Sequence, residues 1–95
     1  MPAYLIARVQ VHDQDEYMKY ALKSKPAIEA FGGKILVRGG EKNILEGEDS
    51  SNRVVIVEFK DMETVKAWYD SDQYQKARSI RTPVSDATFV IVDGT

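Results

Sequence analysis

The fold is decided by residues 3–31, AYLIARVQVHDQDEYMKYALKSKPAIEAF, in which a strand pattern gives way to a helix pattern. The first part, Ala3–Val11, is rich in β-branched and aromatic side chains, which predicts a strand. Asp13 then predicts a helix N-cap, with Glu16 three residues later as its capping-box partner. The inward positions of the helix recur in steps of three and four residues, which predicts one buried face. These positions are Tyr17, Tyr20, Ala21, Ser24, Ile28 and Phe31.

The end of this helix and the strands that follow it are also marked in the sequence. Gly32 and Gly33 predict the helix end, and Pro26 predicts a kink or a restart inside the helix. The second strand is expected to continue past its glycine pair into residue 45. Strands are therefore expected near residues 3–11, 34–46, 53–60 and 86–93.

Two more N-caps place helical segments in the second half of the chain. Asp61 predicts a helix to about residue 69, and Ser71 with Asp72 predicts another, which Pro83 ends. Two strand–helix–strand halves in 95 residues are typical of the split βαβ plan. We expect one α+β domain over residues 1–95, a ferredoxin-like βαββαβ sandwich. Its antiparallel sheet should have the order 4-1-3-2, with both helical segments on one face.

Composition and charge exclude several classes of protein. Thirteen Lys and Arg stand against 15 Asp and Glu, and the interleaved signs argue against nucleic-acid and membrane-surface partners. No apolar run approaches the roughly 18 residues of a membrane span, and no basic segment precedes the first apolar run, so no signal peptide is expected. The chain has no cysteine, so we expect a cytoplasmic protein without disulfides. One histidine and no close acidic set on a strand predict no metal site, and no cofactor is expected.

Alternation along the strands leaves the helix-free face of the sheet unusually apolar. Leu5, Ala7 and Val9 mark the face beneath the helices, so the other set of side chains points away. A solvated sheet face is normally polar, whereas an apolar one marks an interface. We therefore expect a homodimer that stacks sheet on sheet through this face. The residues assigned to it are Tyr4, Ile6, Arg8, Leu36, Arg38, Val54, Ile56 and Glu58, with one set from the last strand.

Three charges on that face are the first candidate site. In the order 4-1-3-2 the third strand lies between the first and the second, so Glu58 is expected between Arg8 and Arg38. One interpretation is a clamp for an anionic ligand, with Glu58 as a possible base. The other is a structural ion network that fixes the register of the dimer.

Four further residues each have two interpretations. Gly39 lets a ligand approach the backbone, or it forms a β-bulge. His12, the only histidine, is a general base or a surface turn residue. Trp68 and Tyr69 line a pocket for a flat apolar ligand, or they belong to the core.

The remaining arginines are expected outside any site. Arg53 should pair with Glu46 or Glu48, and Arg78 and Arg81 should face solvent.

The whole chain resembles a family of uncharacterised domains, number 1330 (DUF 1330). The resemblance is carried by YLIARVQVHDQDEYMKY from residue 4, FGGKILVRGG from residue 31, ILEGE from 44, RVVIVEFKD from 53, AWYDSDQYQKARSIR from 67 and FVIVDG from 89. It implies the dimeric α+β barrel superfamily, whose members include cofactor-free monooxygenases, muconolactone isomerase and chlorite dismutase. The resemblance implies the fold and a homodimer, and it implies no activity. The haem-ligating histidine of chlorite dismutases has no counterpart in this sequence.

Three functions therefore stay open. The first is binding of a small organic or anionic ligand in the barrel lumen or in the cleft between sheet and helices. The second is a cofactor-independent enzyme, similar to a monooxygenase or an isomerase. The third is a purely structural or interaction dimer. A ligand site predicts a partly hydrated cavity of about 300 Å³ or more next to Arg38 or Glu58, whereas a structural network predicts a space filled by side chains.

Overall fold

The computed structural model describes residues 1–95. Its elements are β1 (Ala3–Val11), α1 (Gln14–Ala30), β2 (Lys34–Arg38), β3 (Arg53–Phe59), α2 (Met62–Asp70), α3 (Asp72–Arg81) and β4 (Ser85–Asp93), and a 3₁₀ turn at Thr82–Val84 precedes β4. The four strands form one antiparallel sheet in the order β2-β3-β1-β4. This confirms the ferredoxin-like α+β fold and the predicted order, since 4-1-3-2 is the same order counted from the other edge. None of the helices is long and apolar enough to cross a membrane.

The three predicted N-caps are confirmed. The Asp13 carboxylate accepts a hydrogen bond from the backbone N–H of Glu16 at 3.1 Å. The side chains of Asp61 and Ser71 cap α2 and α3 in the same way, since each accepts a hydrogen bond from the backbone N–H of the third residue after it. The predicted restart at Pro26 is wrong, because α1 runs without interruption from Gln14 to Ala30. Pro26 lies on the exposed side of α1, where water can satisfy the carbonyl that loses its N–H partner.

The core lies between the helices and one face of the sheet. Every second residue of β1 from Ala3 to Val11 is buried, which confirms the predicted inward set. Trp68 of α2 and Tyr74 of α3 are fully buried, with ring centroids 4.2 Å apart. The first helix packs against α3, and its buried residues Tyr17, Tyr20, Ala27 and Ile28 belong to the same core as the inward residues of the sheet. Space remains between part of α1 and the strands below it.

The second strand differs most from the sequence prediction. It ends at Arg38 instead of continuing to residue 46, and it contains a β-bulge at Leu36. Ile35 lies opposite Val57, but two residues further along, Val37 lies opposite Ile56. The extra residue moves the rest of β2 to the other face of the sheet.

The register of β4 settles which of its side chains face the helices. Phe89 and Ile91 lie opposite Ala7 and Leu5, so they point toward the core. Their neighbours Val90 and Val92 point away from the helices and are 48% and 44% exposed. The helix-free face of the sheet is therefore apolar at its centre. Its apolar residues are Ile6, Val37, Val54, Ile56, Val90 and Val92.

Candidate functional site

A cavity of about 480 Å³ lies between α1 and the sheet. Its surface is mainly apolar, which follows from the inward alternation of β1 and β3. The sheet contributes Leu5, Ala7, Ile35, Val55, Val57 and Phe89, and α1 contributes Tyr17, Met18, Tyr20, Ala21, Leu22, Ser24, Pro26 and Ile28.

Two arginines from neighbouring strands supply most of the positive charge at this cavity. Arg53 precedes Val55 and Val57 by two and four residues in β3, so its side chain points to the same face of the sheet as theirs, toward the helices. Its guanidinium lies over the ring of Tyr17, 5.2 Å from the centroid. Arg38 reaches the same cavity because the bulge in β2 places it opposite Val55. No carboxylate lies within 4.0 Å of either guanidinium, so the predicted pairing of Arg53 with Glu46 or Glu48 is wrong. The Nε of Arg53 is buried and has no hydrogen-bond partner.

Trp68 closes one part of the cavity, and its indole N–H is unpaired. The side chain is 1% exposed, and its indole Nε1 has no hydrogen-bond partner. A buried N–H without an acceptor is uncommon in folded proteins. The two interpretations given to Trp68 do not exclude each other, since the residue belongs to the core and also lines the cavity.

The phenols around the cavity are poor bases. Burial raises the pKa of Tyr17, and the neighbouring Tyr20 raises it further, while Arg53 lowers it. The Tyr20 and Tyr74 hydroxyls lie 3.0 Å apart, and burial followed by this contact strongly raises the pKa of Tyr74. The hydroxyls of Tyr17 and Tyr74 are therefore neutral at physiological pH. The only charges at the cavity besides the two arginines are Lys25 and Glu29 on the outer part of α1.

The structure does not bring Arg8, Glu58 and Arg38 together, so the predicted cluster is wrong. Arg38 lies on the helix side of the sheet, because the bulge reverses its parity. Glu58 lies opposite Tyr4, whose hydroxyl donates a hydrogen bond to Glu58 Oε2 at 2.9 Å. Arg8 lies opposite Val54, four residues from Glu58 along β3, which is about 13 Å. Arg8 and Glu58 share the helix-free face but form no ion pair.

The other predicted site residues lie at the edge of the cavity or outside it. His12 is exposed and contacts Asp86 through Nε2 and Oδ2 at 2.9 Å, away from the cavity. Tyr69 is half-buried, and it lines a separate shallow cleft below α2. Gly39 has a φ of +67°, and a Cβ built on it would lie 2.6 Å from Arg53 Nη1. Gly39 therefore makes room for Arg53 at the edge of the cavity.

Three arginines that were expected outside any site, Arg53, Arg78 and Arg81, are half-buried or buried on the helix side. Arg53 alternates in phase with Val55 and Val57, and that parity alone indicates its inward direction. Arg81 was expected to face solvent, but it is 6% exposed. It follows the buried Ala77 by four residues, a spacing that indicates the same helix face.

Solved structures with the same fold differ widely in sequence from this chain. A protein of unknown function from Rhodopseudomonas palustris is 18% identical, with a TM-score of 0.80 over 99% of this chain and 82% of its own. A dimeric ferredoxin-like protein of unknown function from Jannaschia sp. CCS1 is 10% identical, with a TM-score of 0.82 over 99% of this chain and all of its own. SnoaB, a cofactor-independent oxygenase from Streptomyces nogalater, is 9% identical, with a TM-score of 0.70 over 99% and 93%. At these identities the similarity shows the fold alone.

No curated protein matches the chain. A family model does: the model described as Domain of unknown function (DUF1330) matches residues 2–95. The match spans all the elements that build the sheet, the helices and the cavity. The chain belongs to the DUF1330 family.

Proposed function

We propose that the protein binds a small organic anion in the cavity between α1 and the sheet. The observation that carries this proposal is a preformed apolar cavity of about 480 Å³ with two arginines that have no acidic partner. The apolar part of the ligand would occupy the space above Leu5, Ala7 and Val57. Its carboxylate, or a group of like charge, would lie against Arg38 and Arg53.

The size and chemistry of the cavity fit this class of ligand. Small-molecule sites are concave, measure roughly 300–1,000 Å³ and combine apolar walls with a few polar groups. The apolar walls supply most of the favourable transfer energy, at about 25 cal/mol per Å² of apolar surface removed from water. Polar groups orient the ligand, and here the side chains of Arg38 and Arg53 line the cavity without an acidic partner. A ligand with a carboxylate would accept hydrogen bonds from their guanidinium groups.

We also propose that one domain, residues 1–95, works as a homodimer in the cytoplasm. The helix-free face has an apolar centre, formed by Ile6, Ile56 and Val90, of the kind that marks an interface. The protein from Jannaschia sp. CCS1 with the same fold is described as dimeric. A two-fold pairing of this face would leave the cavity, on the opposite face of the sheet, free for ligand.

A cofactor-independent enzyme is the alternative function. The fold of SnoaB supports it, but the two predicted bases, Glu58 and His12, lie outside the cavity. The hydroxyl groups that line the cavity belong to Tyr17, Tyr20 and Ser24, and its one carboxylate, Glu29, lies on the outer part of α1. A general base must lie within hydrogen-bond reach of the proton that it removes. Binding is therefore the function that the geometry supports best.

The single tryptophan makes the proposal directly testable. In a ¹H–¹⁵N spectrum the Trp68 indole N–H gives one isolated resonance, and the protein would be titrated with benzoate, cinnamate and 2-naphthoate. At least one acid should move that resonance, and the matching neutral amide should bind at least tenfold more weakly, because the charge contact is lost. Arg53→Met should abolish the effect. The matched control, Arg8→Met on the helix-free face, should retain it. Equal binding of acids and amides would contradict the proposal.

A further inference from the structure

Arg81 is a buried charge without a counter-ion. It lies in the last turn of α3, and its side chain is 6% exposed. No carboxylate lies within 4.0 Å of its guanidinium, and its Nε is buried without a hydrogen-bond partner. Arginine is almost never buried unless it is paired, because the charge loses its hydration. Something that the chain itself does not contain is therefore expected to compensate this charge.

Two aromatic rings account for only part of that compensation. The guanidinium carbon lies 4.4 Å from the centroid of Phe89 and 5.6 Å from that of Tyr20. The face of an aromatic ring attracts a cation that lies over it. The five N–H donors of a guanidinium lie in its plane and need acceptors at its edge. Burial raises the pKa of Tyr74, and the guanidinium lowers it in part, through its charge and a hydrogen bond to the phenol. Neither the rings nor the phenol brings a negative charge, so the charge of Arg81 stays uncompensated.

A second arginine shares the same surroundings. Arg78 lies one turn earlier on α3, half-buried, with its guanidinium 5.8 Å from the centroid of Tyr69. Its Nε is also buried without a partner, and its one side-chain hydrogen bond is a long contact of 3.4 Å to Gln75 Oε1. Both arginines line a cleft of about 350 Å³ where α3 passes into β4. This cleft shares Phe89 with the cavity under α1, but Arg78 and Arg81 line only the cleft.

The polar groups around the cleft are largely occupied by one another. The Ser85 hydroxyl donates to the Arg81 carbonyl at 2.9 Å. Asp86 is the only carboxylate that lines the cleft, and its Oδ2 contacts His12 Nε2 at 2.9 Å. The Asp86 carboxylate therefore pairs with His12 and forms no salt bridge with either arginine. Two positive charges remain without a partner in one open cleft.

We propose that Arg78 and Arg81 form a second anion site, which takes a phosphate group. A phosphate dianion matches the two uncompensated charges, and its oxygens can accept from the edges of both guanidinium groups. The group could come from inorganic phosphate or from the phosphomonoester of a small molecule. The site is independent of the proposed ligand in the cavity, which lies against Arg38 and Arg53.

The test compares thermal unfolding of the whole protein in phosphate and in chloride at equal ionic strength and pH. Phosphate is kept at a few millimolar, below the range in which it stabilises proteins by exclusion from their surface. At tenfold excess over the dissociation constant, the unfolding midpoint of the wild type should rise by about 7 °C. Arg81→Met should lose this rise. Arg38→Met, which alters the cavity only, should keep it.

A second variant covers the case in which Arg81→Met does not fold. Arg78 is half-buried and stacks on the surface of Tyr69, so Arg78→Met should fold and weaken phosphate binding at least tenfold by calorimetry. Phenyl phosphate that binds tenfold more tightly than inorganic phosphate would support a phosphomonoester, and equal binding would support the free anion. The proposal is overturned if phosphate has no effect beyond chloride, or if both variants retain it. A crystal structure with a carboxylate of a second copy on Arg81 would also overturn it.

Discussion

Arg38 lies opposite Val55 on the neighbouring strand, so its side chain leaves the sheet on the same face as that of Arg53. The bulge at Leu36 produces this relationship, since without it Arg38 would point to the helix-free face. Gly39 follows at once, with a left-handed φ of +67° and its backbone N–H bonded to the Val54 carbonyl at 2.9 Å. The bulge and the glycine together bring two strand arginines to one cavity.

Gly39→Ala should damage both the fold and the cavity. An L residue at this positive φ costs about 1–2 kcal/mol, and the new Cβ would lie 2.6 Å from Arg53 Nη1. We expect a loss of that size in urea unfolding, together with weaker binding of the organic anion because Arg53 is displaced. Gly40→Ala is the matched control, because a Cβ there meets nothing within 4 Å and the φ is not positive. Equal behaviour of the two variants would contradict the role given to Gly39.

Ile56→Asp should separate the proposed homodimer. Ile56 lies at the centre of the helix-free face, opposite Ile6 and Val37. A specific interface buries at least about 1,200 Å² in total, and a carboxylate at its centre would be buried without a partner. Sedimentation at micromolar concentration should show a dimer for the wild type and only the 10.7 kDa species for the variant.

The control for this experiment is Leu45→Asp. Leu45 is 96% exposed in the loop after β2, so the same change of charge occurs away from the sheet face. It should leave the dimer intact. A wild type that sediments only as a monomer would show that the apolar face serves another purpose.

Sequence patterns predicted the elements of this fold well because each depends on local chemistry. The caps at Asp13, Asp61 and Ser71 satisfy backbone N–H groups a few residues away, and strand parity is set by neighbours in the chain. The bulge at Leu36 is different, since it exists only relative to β3. One extra residue there reversed the direction of Arg38 and removed it from the predicted cluster.

The cavity could not be predicted for a similar reason. Its existence depends on how α1 lies over the sheet, which is a matter of tertiary packing between residues far apart in the chain. The alternation of residues in β3 indicates that the Arg53 side chain points toward the helices, but only the structure shows that it meets a cavity there. Parity thus shows the face to which a side chain points, and packing decides what it meets there.

The hydroxyls of Tyr20 and Tyr74 should prove to be energetically coupled. They lie 3.0 Å apart, and both residues are buried, so either phenylalanine variant leaves one buried hydroxyl without its partner. Tyr20→Phe and Tyr74→Phe should each lower the free energy of unfolding by about 1–2 kcal/mol. The double variant should lose less than the sum of the two, because no unpaired hydroxyl remains. Additive losses in urea unfolding would contradict the coupling.

Asp49 should make the loop between β2 and β3 sensitive to acid. The ammonium group of Lys42, 2.6 Å from Asp49 Oδ2, lowers the pKa of this carboxyl well below its ordinary value of 3.8, and hydrogen bonds from the Ser51 N–H and hydroxyl lower it further. A pKa lower in the folded than in the unfolded chain adds stability above pH 3.8, and this stability is lost as the pH falls below that value. Hydrogen exchange of the loop amides should therefore become faster in the wild type between pH 4 and pH 2, once the intrinsic exchange rate is subtracted. Asp49→Asn and Lys42→Met should each show less of this acid dependence, because neither retains the charge pair. An unchanged acid dependence in both variants would show that this contact does not hold the loop.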